Sequence, residues 1–295
     1  MTNQADKGEG GTTLKIVQAI MARTATANED LLLYAQREKV DVALLQEPYV
    51  RYGRLVGLEA SLIRIILAPG FRNRRGHNII HGATIVVFNP ALAVLARDDL
   101  TCDNFAVATV STTEGSEINL ISAYFKYRDP TAGLINTLRR IKRACGNKTL
   151  IAADINAFST DWFSKRTDHR GILVESFIQE EQLQLANRVS PLFTFSGPRG
   201  ENNIDITLTT MDLFTEINDW KVIDGEITSN HRLIAYNIGR GKSIKILKSK
   251  KRFATDKADW VLFNAELVTR LNQVRDDLQH ADLESRTELL MDAIN

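Results

Sequence analysis

Polar side chains able to do chemistry first stand out in the stretch Leu150–Phe158, where Asp154 and Asn156 follow the apolar run Leu-Ile-Ala-Ala. That run reads as a fully buried strand. In extended backbone, residues i and i+2 point the same way, so a carboxylate and an amide would leave the strand end together. The ends of buried strands are where α/β proteins usually hold their ligands. A strand closed by an Asx-type turn is the plainer alternative. Four further polar residues fall at comparable places: Glu47, at the rim of a strand stopped by Pro48; Tyr124, closing another strand; Asp205, between Ile204 and Ile206; and His231, after Ser229-Asn230. A carboxylate flanked by apolar neighbours within a strand needs a partner.

If these residues converge, they suit metal-assisted hydrolysis of a phosphodiester. Glu47 would hold Mg²⁺, a hard cation that prefers oxygen. Asp154 would orient and deprotonate the attacking water. Asn156 and Tyr124 would hold phosphate oxygens, and His231 would offset the negative charge that grows in the transition state. Asp205, paired with His231, would fix its tautomer and keep it cationic. Taken singly, each residue has an ordinary reading as a solvated loop carboxylate or a packed tyrosine with a satisfied hydroxyl. Their joint order favours the chemical one.

The elements that must position them follow from hydrophobic pattern. Strands are predicted at Leu14–Ile20, at 40–45, 83–88, 105–110, 117–125 and 220–223, and at Leu233–Ile238. A helix is predicted from a capping box at Thr26 and Glu29 to about Lys39. Others are predicted over about 131–145, with Arg139, Arg140, Lys142 and Arg143 as a solvated face, and over about 172–183. Residues 192–195 and 203–209 read as a hairpin joined through Ser196-Gly-Pro-Arg-Gly-Glu. Residues 49–82 read as irregular and basic. His77 and His81, four apart, lie there among Gly and Asn, so a loop is favoured over a metal pair. The pattern gives a polar lead-in at 1–13, an α/β sandwich over 14–238, and a basic linker with a helix near 257–280 in 239–295.

Composition adds bounds. The chain of 295 residues is 44% hydrophobic, enough for one large core or two smaller ones, and its net charge of +1 favours no partner by itself. Cys102 and Cys145 fit neither a disulfide framework nor a zinc motif. No apolar run reaches the ~20 residues of a membrane span, and the first residues lack a signal-peptide core.

The order Gln46-Glu47, Tyr124, Asp154-Ile155-Asn156, Asn203-Ile204-Asp205 and Ser229-Asn230-His231 resembles the endonuclease/exonuclease/phosphatase superfamily. More narrowly, it is similar to the apurinic-endonuclease-like domain of non-LTR retrotransposons. Val17-Gln18, Arg23, Leu45-Gln46-Glu47-Pro48-Tyr49, Trp162, Ser164, Thr167-Asp168-His169-Arg170-Gly171 and Asp205-Ile206-Thr207-Leu208 carry that likeness. Residues 250–265 resemble a connector to a reverse transcriptase, so the chain is expected to be part of a longer element-encoded polyprotein. The resemblance implies a four-layer sandwich of two mixed β-sheets flanked by helices, with a C-terminal linker and helix. It also implies Mg²⁺ (Mn²⁺ as an alternative), nuclear location, and nicking of double-stranded DNA to prime reverse transcription. Arg166, Arg170 and Arg199, in basic loops and at a hairpin tip, are the expected substrate contacts.

Three positions depart from the family pattern. Ile20 stands where an Asn is usual and can neither ligate metal nor donate. Ala22 replaces a polar residue, and Asn230 replaces the Asp of a Ser-Asp-His ending. A weakened nuclease is therefore expected. The alternatives are a decayed DNA-binding module on the same fold, or a phosphodiesterase for a small molecule or lipid.

Overall fold

The computed structural model describes residues 13–58, 62–72, 79–111, 115–198, 200–239, 260–273 and 275. Two six-stranded sheets dominate. The first runs, in spatial order, Ile217–Ile223, Leu233–Ile238, Leu14–Ile20, Val42–Gln46, Ala83–Val87, Arg64–Leu67. The second runs Gln184–Leu185, Asp205–Thr209, Thr149–Asp154, Glu117–Tyr124, Phe105–Ser111, Ala93–Ala96. One pair in each sheet is parallel: Leu14–Ile20 with Val42–Gln46, and Glu117–Tyr124 with Thr149–Asp154. Their crossovers carry the helices Ala25–Glu38 and Thr131–Cys145.

The central strands alternate between two buried faces. Ile16, Leu44, Ile85, Leu120, Leu150 and Ala152 point between the sheets. Val17, Leu45 and Val86 point outward, beneath Leu31 and Tyr34 of the first helix. Ile121, Ile151 and Ile206 likewise pack under Leu138, Ile141 and Phe177 of the helices outside the second sheet. Strands buried on both sides read as continuous apolar runs, which is why Leu150–Ala153 carries no polar residue. The result is the four-layer α/β sandwich expected from the resemblance.

Several local expectations change. The first helix is capped by Thr24, whose hydroxyl accepts from the Ala27 N–H, and not by Thr26. The predicted hairpin does not form. Asp205–Thr209 pairs with Thr149–Asp154, while the turn segment makes its own ribbon, Phe195–Gly197 with Gly200–Asn202. Residues 49–82 include a true strand, Arg64–Leu67, at the edge of the first sheet. The Arg139 face is not solvated throughout, because the buried Glu181 carboxylate gathers Arg139, Lys142 and Arg143 at 3.2, 3.4 and 2.6 Å.

Residues 1–247 form one compact unit and 248–295 a second. In the second, the helix Trp260–Gln273 is described, with Leu262 and Val268 exposed and Arg270 paired to Glu266 at 3.1 Å. Most of the predicted helix beyond Gln273 lies outside the described residues. Among the described residues no helix is long and apolar enough to cross a membrane.

Candidate active site

Register aligns the polar residues of the second sheet. Tyr124 sits beside Asp154, and Asp154 beside Asp205, on three neighbouring strands. Adjacent strands lie about 4.8 Å apart, so the three side chains share one sheet end. The Phe125 N–H donates to the Asp154 carbonyl at 2.8 Å, and the Ile155 N–H to the Ile204 carbonyl at 3.0 Å, which continues the pairing just past the strands.

The extended geometry expected for Asp154 and Asn156 does not hold. Asn156 has φ +47°, a left-handed conformation that Asn tolerates better than most residues. Its N–H donates to Asp154 Oδ1 at 3.3 Å, so the Asx-type turn is present. The turn nevertheless leaves both polar groups at the sheet end. Asn156 donates from its amide to the Phe125 carbonyl at 3.3 Å and borders a cavity of about 510 Å³ with Phe158, Arg166 and His231.

Asp205 is fully buried, and its partner is His231, with Nδ1 lying 2.9 Å from Oδ2. Burial alone would depress the imidazole, but the Asp205 charge and hydrogen bond, then Asp154 and Glu47, push it up to about 9. Asp154 is buried as well. Loss of water, then repulsion from Asp205, holds its carboxyl well above the usual carboxylate range. Burial and then Glu47 raise the Tyr124 phenol in the same way.

Glu47 lies at the end of Val42–Gln46 in the first sheet, with φ +49°. Arg23, also left-handed, forms an ion pair with its carboxylate and donates from its backbone N–H to the Glu47 carbonyl at 2.9 Å. Left-handed backbone at non-glycine residues costs energy and tends to persist where surrounding structure imposes it, often at functional sites.

Comparison with known proteins gives this geometry its context. A family model described as endonuclease–reverse transcriptase matches residues 118–235, the span from the Tyr124 strand past His231. The solved endonuclease domain of TRAS1, a telomere-specific non-LTR retrotransposon, superposes with a TM-score of 0.68 at 29% identity, over 77% of this chain and 98% of that one. These matches make the chain similar to the endonuclease/exonuclease/phosphatase superfamily and, within it, to endonuclease-like domains of the non-LTR retrotransposon kind.

The Pol polyprotein of a type-1 retrotransposable element R1 from Bradysia coprophila is 27% identical over 190 residues, 60% of the chain. A 115 kDa protein of the element R1DM from Drosophila melanogaster is 23% identical over 95% of the chain. The chain spans only 19% and 27% of the lengths of these two relatives. The AP endonuclease LMAP of Leishmania major, at 12% identity and TM-score 0.61, shares the fold.

Not every residue singled out in the sequence faces this site. Arg166 is exposed and stacks over Phe158, with 5.7 Å from its guanidinium carbon to the ring centre, on the cavity wall. Arg170 differs from the expectation of a substrate contact. Its guanidinium turns inward and donates to the carbonyls of Tyr127 and Asp129 at 3.0 and 3.4 Å, and of Phe125 and Ile155 at 3.4 and 3.3 Å. It therefore ties the segment after Tyr124 to the Asp154 turn. Its neighbours do similar work. Asp168 Oδ1 accepts from the N–H groups of Phe158 and Gly171, and a Cβ on Gly171 would stand 1.9 Å from the Phe158 carbonyl oxygen. The Asp168-His-Arg-Gly motif is thus a bracket behind the turn.

Arg199 and His77 lie outside the described residues, and His81 Nδ1 lies 2.6 Å from the Ala68 carbonyl oxygen. Asn230 is exposed, with its carbonyl accepting from Ser196. Ile20 is buried at the end of its strand and brings no donor there.

Two residues that matter for placement entered the sequence reading only as part of the family likeness, with no role assigned to them. Gln46 Nε2 crosses between the sheets to Ser122 Oγ at 2.8 Å and the Ala152 carbonyl at 3.1 Å. Gln18 reaches the Ala153 and Ile206 carbonyls, both at 3.4 Å, and accepts from Thr207. The rule that flags Asp205, a polar side chain within an apolar strand, applies equally to these glutamines.

Among the described residues no group of three or more His, Cys, Asp or Glu side chains could hold a metal by itself. Mg²⁺ does not require one, since it commonly takes one or two carboxylates and leaves the remaining positions to water and phosphate oxygens. Glu47, mostly buried beside the Tyr124 hydroxyl, is an oxygen-only donor set of that kind. It fits such an ion once Arg23 is off the carboxylate.

Proposed function

We propose that the domain is a divalent-metal-dependent endonuclease that nicks double-stranded DNA, acting within a retrotransposon polyprotein that includes a reverse transcriptase. The observation that carries this reading is the buried Asp205–His231 pair placed beside Asp154 at one strand-end cluster. A carboxylate of raised pKa is matched to taking a proton from water near neutral pH, which suits Asp154 as general base. His231, cationic at that pH, offsets charge on the phosphate as it reacts. Tyr124 and the amide of Asn156 supply hydrogen bonds to phosphate oxygens. Bound at Glu47, Mg²⁺ or Mn²⁺ would supply Lewis-acid polarisation of the phosphate.

The test is conversion of supercoiled plasmid to open circle with Mg²⁺, run beside Asp154→Ala, His231→Ala and an EDTA control. Each variant should lose on the order of 10²-fold or more, and EDTA should abolish nicking. Equal nicking by wild type and both variants would assign the activity to a contaminant.

Ile20 and the Arg23–Glu47 pair favour a second reading, a DNA-binding module with little remaining catalysis. It requires duplex binding without nicking, even in Mn²⁺. Restoring the family pattern with Ile20→Asn and Asn230→Asp should raise nicking if the first reading holds.

A further inference from the structure

We infer that Arg23 is the resident cation of the Glu47 carboxylate, and that a divalent ion gains this carboxylate only as a DNA phosphate draws Arg23 away. The inference rests on the metal-dependent reading above and adds a rule for when the metal binds. The Arg23 guanidinium is ion-paired with Glu47, and its carbon lies 5.8 Å from the centre of the Tyr124 ring. The Tyr124 phenol adjoins both partners, and Glu47 is the charge that raises its pKa most after burial. The backbone repeats the link, because the Arg23 N–H donates to the Glu47 carbonyl at 2.9 Å. The main chain of Arg23 is therefore anchored beside Glu47, while its guanidinium is held there by charge.

A guanidinium and a divalent ion compete for one carboxylate, since like charges that close repel and each weakens the other's hold. Nothing on the Leu14–Ile20 side offsets that competition. The side chains of Ile20 and Ala22 carry no oxygen that would keep the ion in place while Arg23 remains. Arg23 has somewhere to go. Its side chain is 39% exposed against 17% for Glu47, and it borders an open cavity of about 840 Å³ shared with Tyr49, Arg51 and Tyr52. A backbone phosphate entering there would offer the paired oxygens that guanidinium prefers. Transfer of Arg23 from carboxylate to phosphate frees Glu47 as the substrate arrives. Metal and DNA then bind with positive linkage, each raising the other's affinity by the same factor.

The experiment measures Mn²⁺ binding by electron paramagnetic resonance, with and without a short phosphorothioate duplex. It uses wild type, Arg23→Gln, Arg23→Lys, Glu47→Gln and the Arg23→Gln/Glu47→Gln double variant, with circular dichroism confirming each fold. Arg23→Gln should tighten Mn²⁺ binding without DNA by about tenfold, inside the roughly 5–150-fold range of ordinary coupling. Arg23→Lys should fall between it and wild type. The duplex, which also lends phosphate oxygens to the ion, should tighten Mn²⁺ binding to wild type by a larger factor than to Arg23→Gln. Glu47→Gln should remove the site in either background. Unchanged or weaker Mn²⁺ binding by Arg23→Gln, with Glu47→Gln still abolishing it, overturns the displacement alone. Binding indifferent to Glu47→Gln overturns both the displacement and the assignment of the metal to Glu47.

Discussion

The Asp205 carboxylate decides the charge of His231. Without it, burial would favour the neutral imidazole; with it, the imidazole holds its proton up to about pH 9. Asp205→Asn should therefore lower the His231 pKa from about 9, with Asp154 and Glu47 left as the remaining raising charges, read from the pH titration of the imidazole proton resonances. The same shift acts on stability. A histidine whose folded pKa is raised stabilises the fold below its unfolded pKa, and that contribution fades as pH rises through the folded one. The Asp205→Asn penalty in urea unfolding should thus be on the order of 3 kcal/mol near pH 6 and smaller above pH 9. A penalty that grows with pH would contradict this charge assignment. Arg170 illustrates a different constraint, because its fork meets four backbone carbonyls that no shorter cation could reach together. Arg170→Met should destabilise by about 1–3 kcal/mol, and Arg170→Lys should recover only part of that. Full recovery by Lys in denaturant titration would show that charge alone matters there.

Strand ends make a site only if the two sheets keep their alignment, and the glutamines between them hold it. Gln46 joins the strand before Glu47 to Ser122 and Ala152, two residues from Tyr124 and Asp154 respectively. Gln46→Met should cost about 1–3 kcal/mol, because the buried Ser122 hydroxyl and Ala152 carbonyl each lose the amide that bridges them. Combined with Ser122→Ala the loss should be less than additive by 0.5 kcal/mol or more on the order seen for contacting pairs, and strict additivity in the double-mutant cycle would deny the bridge. The long central strands and the helix Thr131–Cys145 are legible in sequence because their apolar periods are sustained. Non-local pairing is not. Asp205–Thr209 follows a Gly-Pro turn and invites a hairpin, yet its partner Thr149–Asp154 lies some fifty residues earlier, and nothing local encodes that choice. Arg64–Leu67 is hidden among arginines, since an edge strand needs no clean alternation. The polar residues of the candidate site were visible because each falls inside or close to the end of a segment that reads as a strand. The inward turn of Arg170 was not visible, because an arginine in a polar loop looks the same whether it faces solvent or carbonyls.

At the scale of the whole chain, 37 Lys and Arg balance 36 Asp and Glu, so no long-range field draws the molecule to a polyanion. Affinity for DNA must then come from cations gathered locally. Two stand out on either side of the strand ends. Arg51 lies over the exposed Tyr52 at 5.2 Å, on the cavity next to Glu47, and Arg166 lies over Phe158 on the cavity next to His231. A duplex laid across the site would bring phosphates to both. Each phosphate neutralised releases counterions and adds about 0.9 to the slope of log affinity against log salt. Arg51→Ala and Arg166→Ala should therefore each weaken duplex binding and flatten that slope by roughly one contact, with additive effects in the double variant. Arg139 provides the control. It is an equally basic residue, but it serves the buried Glu181 between helices outside the second sheet, so Arg139→Ala should lower stability and leave the salt slope alone. Fluorescence anisotropy of a labelled duplex across a salt series reads the wild type and all four variants. If the slope follows Arg139 and ignores Arg51 and Arg166, DNA lies across the helices and the strand-end cluster is not where it binds.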